Sequence, residues 1–427
     1  MEGRCAMIGI TVIGLLVLAF LGIPIAWALG ISSTVAIWVD GSVPASLVVQ
    51  KMINGMDSFS LMAIPFFILA GNLMSGGGLT ERLLNIAKAL IGWVRGSVSI
   101  VCIVASMFFG AITGSAVATA SAIGGMTIPE MIKENYGRSY AAAVTTGAAI
   151  CGPMIPPSIG LIIYASMTDT NVRDLFMGTL FPGILYGLFL CGTAWMIAKK
   201  RNYITHPFEG FRNLWKTIRS GITALLMPVA VLGSIFGGLA TPTEAAVVAV
   251  AYALIVSVFI YRDLTWKQIY KILVDSAVAT AVMYIVIGIS GAVGWIVAVS
   301  NVSTTLTNMV ASSGVGKIGT IIFILALGLI FGCIMDVVAA ILIVTPVLYA
   351  LAAPLGYTTV EFGVILVTLL TLGHITPPVG ASLLLSNSMA GADIRTTIKE
   401  AVPFFFCGFG LVVLLFIFPQ IISILVP

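Results

Sequence analysis

The sequence predicts an all-α polytopic membrane protein, built as an inverted structural repeat with two re-entrant hairpins and two broken helices. Three observations predict it. The 427 residues are 59% hydrophobic and only 8% charged, with a mean hydropathy of +1.14, whereas a soluble domain carries about 25% charge. Gly152-Pro153-Met154-Ile155-Pro156-Pro157 recurs as Gly373-His374-Ile375-Thr376-Pro377-Pro378, at an offset of 221 at both ends. The Lys and Arg residues then fall unevenly on the two faces that such a fold would have.

Each half reads alike: two spans, a third span, an interfacial helix, a re-entrant hairpin, a broken span and a final span. The first repeat occupies 1–198, with its interfacial helix at about 79–95, hairpin at 97–129 and broken helix at 139–168. Ala26-Trp27-Ala28 has the form of a cleavage site, but it lies inside an apolar stretch running on to Trp38. It therefore reads as part of a first helical hairpin turning near Gly30, not as a removable signal. A linker at 199–219, with Trp215, divides the halves and should lie at the cytoplasmic surface. The second repeat, 220–427, places its interfacial helix at about 304–317, hairpin at 318–350 and broken helix at 359–388. Phe109-Gly110 through Ser115 resembles Phe331-Gly332 through Asp336, with one extra residue in the first copy, and Pro182 matches Pro403.

An odd number of crossings per half inverts the second half relative to the first. Charge tests this independently, because cytoplasmic loops collect Lys and Arg. The inside loops would hold 16 of the 20 basic residues, and the outside only Arg4, Lys51, Arg173 and Lys317. The interfacial helices contrast most: the first carries Arg82, Lys88 and Arg95, the second Lys317 alone. Both termini are then expected outside.

Proline lacks a backbone N–H and disfavours the helical region at the residue before it, so Pro-Pro breaks a helix. At membrane depth the freed backbone groups are tolerated only when buried in protein or lining a cavity. Two such breaks at matching points mark the ion and substrate site of a secondary transporter. Unwound carbonyls suit sodium. A first site would use Gly110, Thr113, Gly152, Ile155 and Pro157; a second would use Gly332, Gly373, Thr376 and Val379.

Ser115 and Asp336 each precede a helix-forming apolar run and should N-cap the returning hairpin helices. Helix N-termini at these turns suit an anionic substrate, with Ser115, Ser158 and Asn387 as candidate contacts. Asp336 at membrane depth is functional by default, as part of a cation site or as a proton carrier. His374 lies inside the second break; it reads first as a packed neutral histidine, with pH sensing or substrate contact as the alternative. Thr241-Pro242-Thr243-Glu244 reads as a structural capping box. The six cysteines lack metal-type spacing and read as small core residues.

Other functions fit poorly. A net charge of +4 gives no nucleic-acid signature. Ser313-Gly314-Val315-Gly316-Lys317-Ile318 lacks the first glycine and the final Ser/Thr of a phosphate loop. No H-E-x-x-H occurs, and no Ser/His or Asp/Asp pair suggests an enzyme. An ion channel or a sodium/proton antiporter using Asp336 is the alternative reading.

The chain also resembles the large membrane subunit of TRAP (tripartite ATP-independent periplasmic) transporters. The resemblance rests on Ile64-Pro-Phe-Phe-Ile-Leu-Ala-Gly-Asn72, Phe109-Gly-Ala-Ile-Thr-Gly-Ser115, Met126-Thr-Ile-Pro129, Gly152 to Ser158, Ala240 to Ala246 and Thr376 to Gly380, and covers nearly the whole chain. It implies an elevator of the ion-transporter-superfamily kind, in which a transport domain (about 97–198 plus 318–427) moves against a scaffold. It implies sodium-coupled uptake with at least two ions, no ATP, and ligands at the positions named above. Implied partners are a small four-helix membrane subunit, expected as a separate chain because the repeat begins almost at Met1, and a periplasmic substrate-binding protein. The implied location is the bacterial inner membrane, and the substrate a small organic anion such as sialic acid, a C4-dicarboxylate or a sulfonate.

Overall fold

The computed structural model describes residues 2–205, 207, 210–312, 314, 316–377 and 379–426. Pro378, the last proline of the second motif, and His206 lie outside the described residues. All regular structure among the described residues is helical. Among the described residues, eight helices are long and apolar enough to cross a membrane, or nine when a pair bent by 41° is counted as one span.

The chain opens with α1 (Glu2–Phe20) and α2 (Ile25–Asp40), packed as a hairpin. It turns at Gly22, with φ +81°, and Pro24 caps α2. The expected turn near Gly30 is therefore wrong. Gly30 lies within α2, where an added Cβ would make an ordinary contact with Ile289 at 3.4 Å, so it marks no bend. The third span is jointed: α3 (Ser46–Met56) and α4 (Ala63–Gly76) flank an extended Ser58 and one 3-10 turn. Helix α5 (Leu79–Ile91), at the place expected of the first interfacial helix, buries Leu79, Leu83, Leu84 and Ala87. Its polar face pairs Arg82 with Asp263 at 2.8 Å and Lys88 with Glu130 at 2.7 Å.

The first hairpin is α6 (Ser97–Thr113) and α7 (Ala116–Lys133). The broken span follows as α8 (Arg138–Ala149), the short α9 (Cys151–Met154) and α10 (Ile159–Thr168), and α11 (Val172–Lys200) closes the half. The next helix, α12, begins at Phe211, so helices run into both ends of the expected 199–219 linker.

The second half repeats the order: α12 (Phe211–Phe236), α13 (Pro242–Ile255, continued by a π turn), and α14 (Trp266–Val299), then α15 (Val302–Ser312) in the interfacial position. The counterpart of the jointed third span, α14, is one unbroken helix of 34 residues. The second hairpin is α16 (Gly316–Ile334) and α17 (Val337–Ala352). The second broken span is α18 (Thr359–Leu372), a 3-10 turn at Gly373–Ile375, and α19 (Ala381–Ala390). The long α20 (Ile394–Ile417) and short α21 (Gln420–Ser423) end the chain.

The first break is held from behind by the final span of its half. The carbonyl of Met154, freed by the first break, accepts from Thr179 of α11 at 2.9 Å. Tyr186 of α11 donates to the Gly147 carbonyl at 3.0 Å. Buried freed carbonyls thus find donors, as a buried helix end requires.

Candidate functional site

Both hairpin tips pack their backbone directly on a break. Gly110 lies so close to Gly152 that a Cβ on Gly110 would sit 2.7 Å from the Gly152 Cα and 3.1 Å from the Cys151 carbonyl oxygen. A Cβ on Gly152 would sit 2.7 Å from the Ser115 carbonyl oxygen and 2.8 Å from the Thr119 hydroxyl. The second half repeats the junction: a Cβ on Gly373 would collide with the Gly332 carbonyl group and the Cys333 nitrogen. Here glycine is needed for backbone approach rather than for an unusual φ. These four glycines are the residues that the sequence placed at the ion sites.

The first junction gathers hydroxyls as well as carbonyls. Thr113 Oγ1 lies 3.3 Å from Thr119 Oγ1, and Thr119 donates to the Ser115 carbonyl at 2.8 Å. Gly114, with φ +60°, ends α6 and lays the tip on Pro157, whose carbonyl oxygen is 2.5 Å from where a Gly114 Cβ would be. Ile155 points its side chain away, toward Gly183 of α11, leaving only its backbone to the break. At the second junction, Thr376 is extended and its hydroxyl donates back to the Leu372 carbonyl at 3.1 Å. Val379 is described, with its side chain largely exposed. Sequence reasoning missed Cys333, which is more than a core filler. Its thiol donates to the carbonyls of Pro377 and Thr376, at 2.6 and 3.3 Å, so these carbonyls converge on one point. Gly114, four residues after Gly110, and Thr119, nine after it on the returning helix, were missed too.

Between the two junctions lies a cavity of about 40 Å³, lined by Ser115, Ala116, Ile159, Gly160, Asp336, Val337 and His374, with Met283 of α14 as its far wall. Three helices begin here. Ser115 caps α7 by accepting from Ala118 N–H, Ser158 caps α10 by accepting from Leu161 N–H, and Asp336 caps α17 by accepting from Val338 N–H. Each cap satisfies one donor. The other first-turn amides have no partner within their helix, and the helix dipoles add positive charge at the same place. A carboxylate-sized anion is the ligand that such a place favours. At this volume the cavity admits water rather than an organic anion, since one water occupies about 30 Å³ of liquid.

Ser115 lines the cavity; Ser158 is fully buried behind it, and only the residues it caps, Ile159 and Gly160, reach the cavity wall. Asn387 does not. Its amide donates to the Ala392 carbonyl at 3.0 Å and its oxygen accepts from Thr397 at 2.6 Å, so both ends of the side chain are occupied in the turn between α19 and α20. The substrate contact expected of Asn387 is replaced by this turn-closing role. The Asp336 side chain is 54% exposed and His374 only 3%, with 3.9 Å between Asp336 Oδ1 and His374 Nε2.

Comparison with known proteins gives this geometry a family. The family model described as "Tripartite ATP-independent periplasmic transporter, DctM component" matches residues 12–421. The isethionate TRAP transporter permease protein DctMQ of Oleidesulfovibrio alaskensis is 38% identical over 90% of this chain, which spans 60% of that relative's length. The sialic acid TRAP transporter large permease protein SiaM of Vibrio cholerae is 33% identical, over 99% of this chain and 98% of SiaM. Among solved structures, the Alcanivorax borkumensis YdaH transporter superposes with a TM-score of 0.64 at 14% identity, over 89% of this chain and 90% of YdaH; it shares the fold. Broken spans, hairpin tips and a family match across nearly the whole length agree: the chain is a multi-pass membrane permease and belongs to the DctM component family of tripartite ATP-independent periplasmic transporters.

Proposed function

We propose that this permease imports a small organic anion, a carboxylate or a sulfonate, in symport with at least two sodium ions and without ATP. The single observation that carries the reading is the duplicated junction, in which a glycine of a hairpin tip meets a glycine of a break in each half. The first sodium ion is assigned to the backbone around Gly110, Thr113, Gly152, Ile155 and Pro157. The second is assigned to Gly332, Gly373, Thr376 and Val379, where the Cys333 thiol marks converging carbonyls. Carbonyls ligate sodium without burying a full protein charge. The anion sits between the junctions, where three helix N-termini converge.

The hairpins, broken spans and α11 and α20 move together as a transport domain against a scaffold that includes α14, with the halves in inverted orientation. A small four-helix membrane subunit and a periplasmic binding protein complete the system in the bacterial inner membrane, with both termini periplasmic. The relatives named for isethionate and sialic acid support an organic acid as cargo.

The test is uptake by proteoliposomes holding this chain and its small subunit. Isethionate, sialic acid and succinate are each supplied with a cognate binding protein, with and without an inward sodium gradient. Accumulation only with the gradient supports the reading. A sodium or proton current without any binding protein, and no uptake, favours the channel or antiporter alternative; the half-exposed Asp336 at the cavity is the observation on its side.

A further inference from the structure

We infer that His374 is a specificity-determining residue, whose Nε2–H donates a hydrogen bond to the acid group of the transported anion. The inference rests on the proposed anion site and deepens it. His374 is buried among protein atoms, yet its Nε2 has no hydrogen-bond partner. A buried polar atom left unpaired is costly and calls for a partner. The residue lines the cavity onto which three helix N-termini open, so the missing partner belongs there.

The neighbours fix which nitrogen carries the proton. Nδ1 lies 3.3 Å from Ser382 Oγ. If Ser382 donates to Nδ1, both groups are used and the proton sits on Nε2. The opposite tautomer would leave a lone pair on Nε2 facing Asp336 Oδ1 at 3.9 Å, which is repulsive. Nε2 is therefore a donor. Asp336 is the competing acceptor, but it stands beyond hydrogen-bond distance, and its other oxygen already takes the Val338 amide at 3.1 Å. An anion oxygen entering the cavity meets a neutral N–H together with the free amides of the first turns of α7 and α10.

The chain has two histidines, so the test is clean. In protein with 15N-labelled histidine, His206→Gln leaves His374 as the one imidazole signal, and 15N shifts report its tautomer. The Nε2–H form is expected, and its signal should shift on adding the anion of the uptake panel (isethionate, sialic acid or succinate) together with sodium. In uptake, His374→Leu should raise KM roughly ten- to a hundredfold, the effect of losing a bond to a charged partner. His374→Gln, which places an amide N–H near the Nε2 position, should recover most of that loss.

An Nδ1–H tautomer, an unchanged KM in His374→Leu, or an Nε2 signal that moves with Asp336→Asn but not with any anion would each overturn the inference. Absence of sodium-driven uptake in the unsubstituted protein would instead sink the transport reading, and the tautomer measurement would still stand on its own.

Discussion

The Gly110–Gly152 junction makes a quantitative prediction for Gly152→Ala. The new Cβ would sit 2.7 Å from the Ser115 carbonyl oxygen and 2.8 Å from Thr119 Oγ1. Carbon atoms rest comfortably only near 3.5 Å from their neighbours, so the hairpin tip must retreat by roughly 0.5–0.8 Å. The nearer of these atoms is backbone, and no rotamer change relieves it. Overpacking of this kind costs about 1–3 kcal/mol. Drawn from the assembled tip–break arrangement, that cost weakens sodium by roughly five- to a hundredfold. Gly373→Ala should be more severe, because its Cβ meets the Gly332 carbonyl group itself. Gly410→Ala, in the middle of α20 with nothing within 4 Å of its Cβ, is the control, and should leave transport intact. The assay is the sodium dependence of anion uptake in proteoliposomes, with sodium-induced thermal stabilisation of the purified protein as a binding readout free of turnover. Wild-type half-saturation by sodium in both Gly152→Ala and Gly373→Ala would refute the placement of the ions at these junctions.

Further expectations concern single side chains. Thr376→Ala should change sodium half-saturation less than about threefold, because the hydroxyl is engaged with Leu372 and the carbonyl remains; a total loss of coupling would make the hydroxyl a ligand. Asp393 caps α20, accepting from the Thr396 hydroxyl at 2.8 Å and the Thr396 amide at 3.0 Å, and these bonds hold its pKa below the ordinary carboxylate value. A depressed pKa stabilises the fold above the ordinary carboxylate range, and that contribution is lost as pH falls through the folded value. Melting curves of Asp393→Asn should therefore run below the parent at neutral pH and converge with it in acid; parallel curves would contradict the cap. Arg201 bonds both oxygens of Glu400, at 2.9 and 2.7 Å, on a partly exposed surface. Glu400→Gln should cost under about 1 kcal/mol, checked by chemical denaturation, and a multi-kcal loss would mean that the pair anchors more than a surface.

The hairpins and breaks were legible because their signals are local. Pro-Pro stops a helix wherever it stands, and Ser115 and Asp336 are capping residues before apolar runs. The first turn was misread because Gly30 looks like a turn residue in sequence, while Gly22 followed by Pro24 supplied the bend. Glycine also sits inside membrane helices, and the unbroken run of α2 from Ile25 to Asp40 shows that Gly30 is such a case. Asn387 was named as a candidate contact from its type and its place after the second break, but its amide and oxygen are taken by Ala392 and Thr397. Cys333 was invisible because its partners lie 43 and 44 residues away, across a fold that had to form first. His374 was legible as buried, not as unpaired.

The unbroken α14 carries one more consequence. Its 34 residues extend about 51 Å, and the uncharged part from residue 276 to 299 about 36 Å, against a hydrocarbon layer of about 30 Å. A hydrophobic length beyond that of the layer is taken up by tilt, by local thickening of the bilayer or by packing against neighbouring helices. Met283, which lines the cavity between the hairpin tips, lies on that stretch. A thinner membrane enlarges that mismatch on the helix that carries Met283.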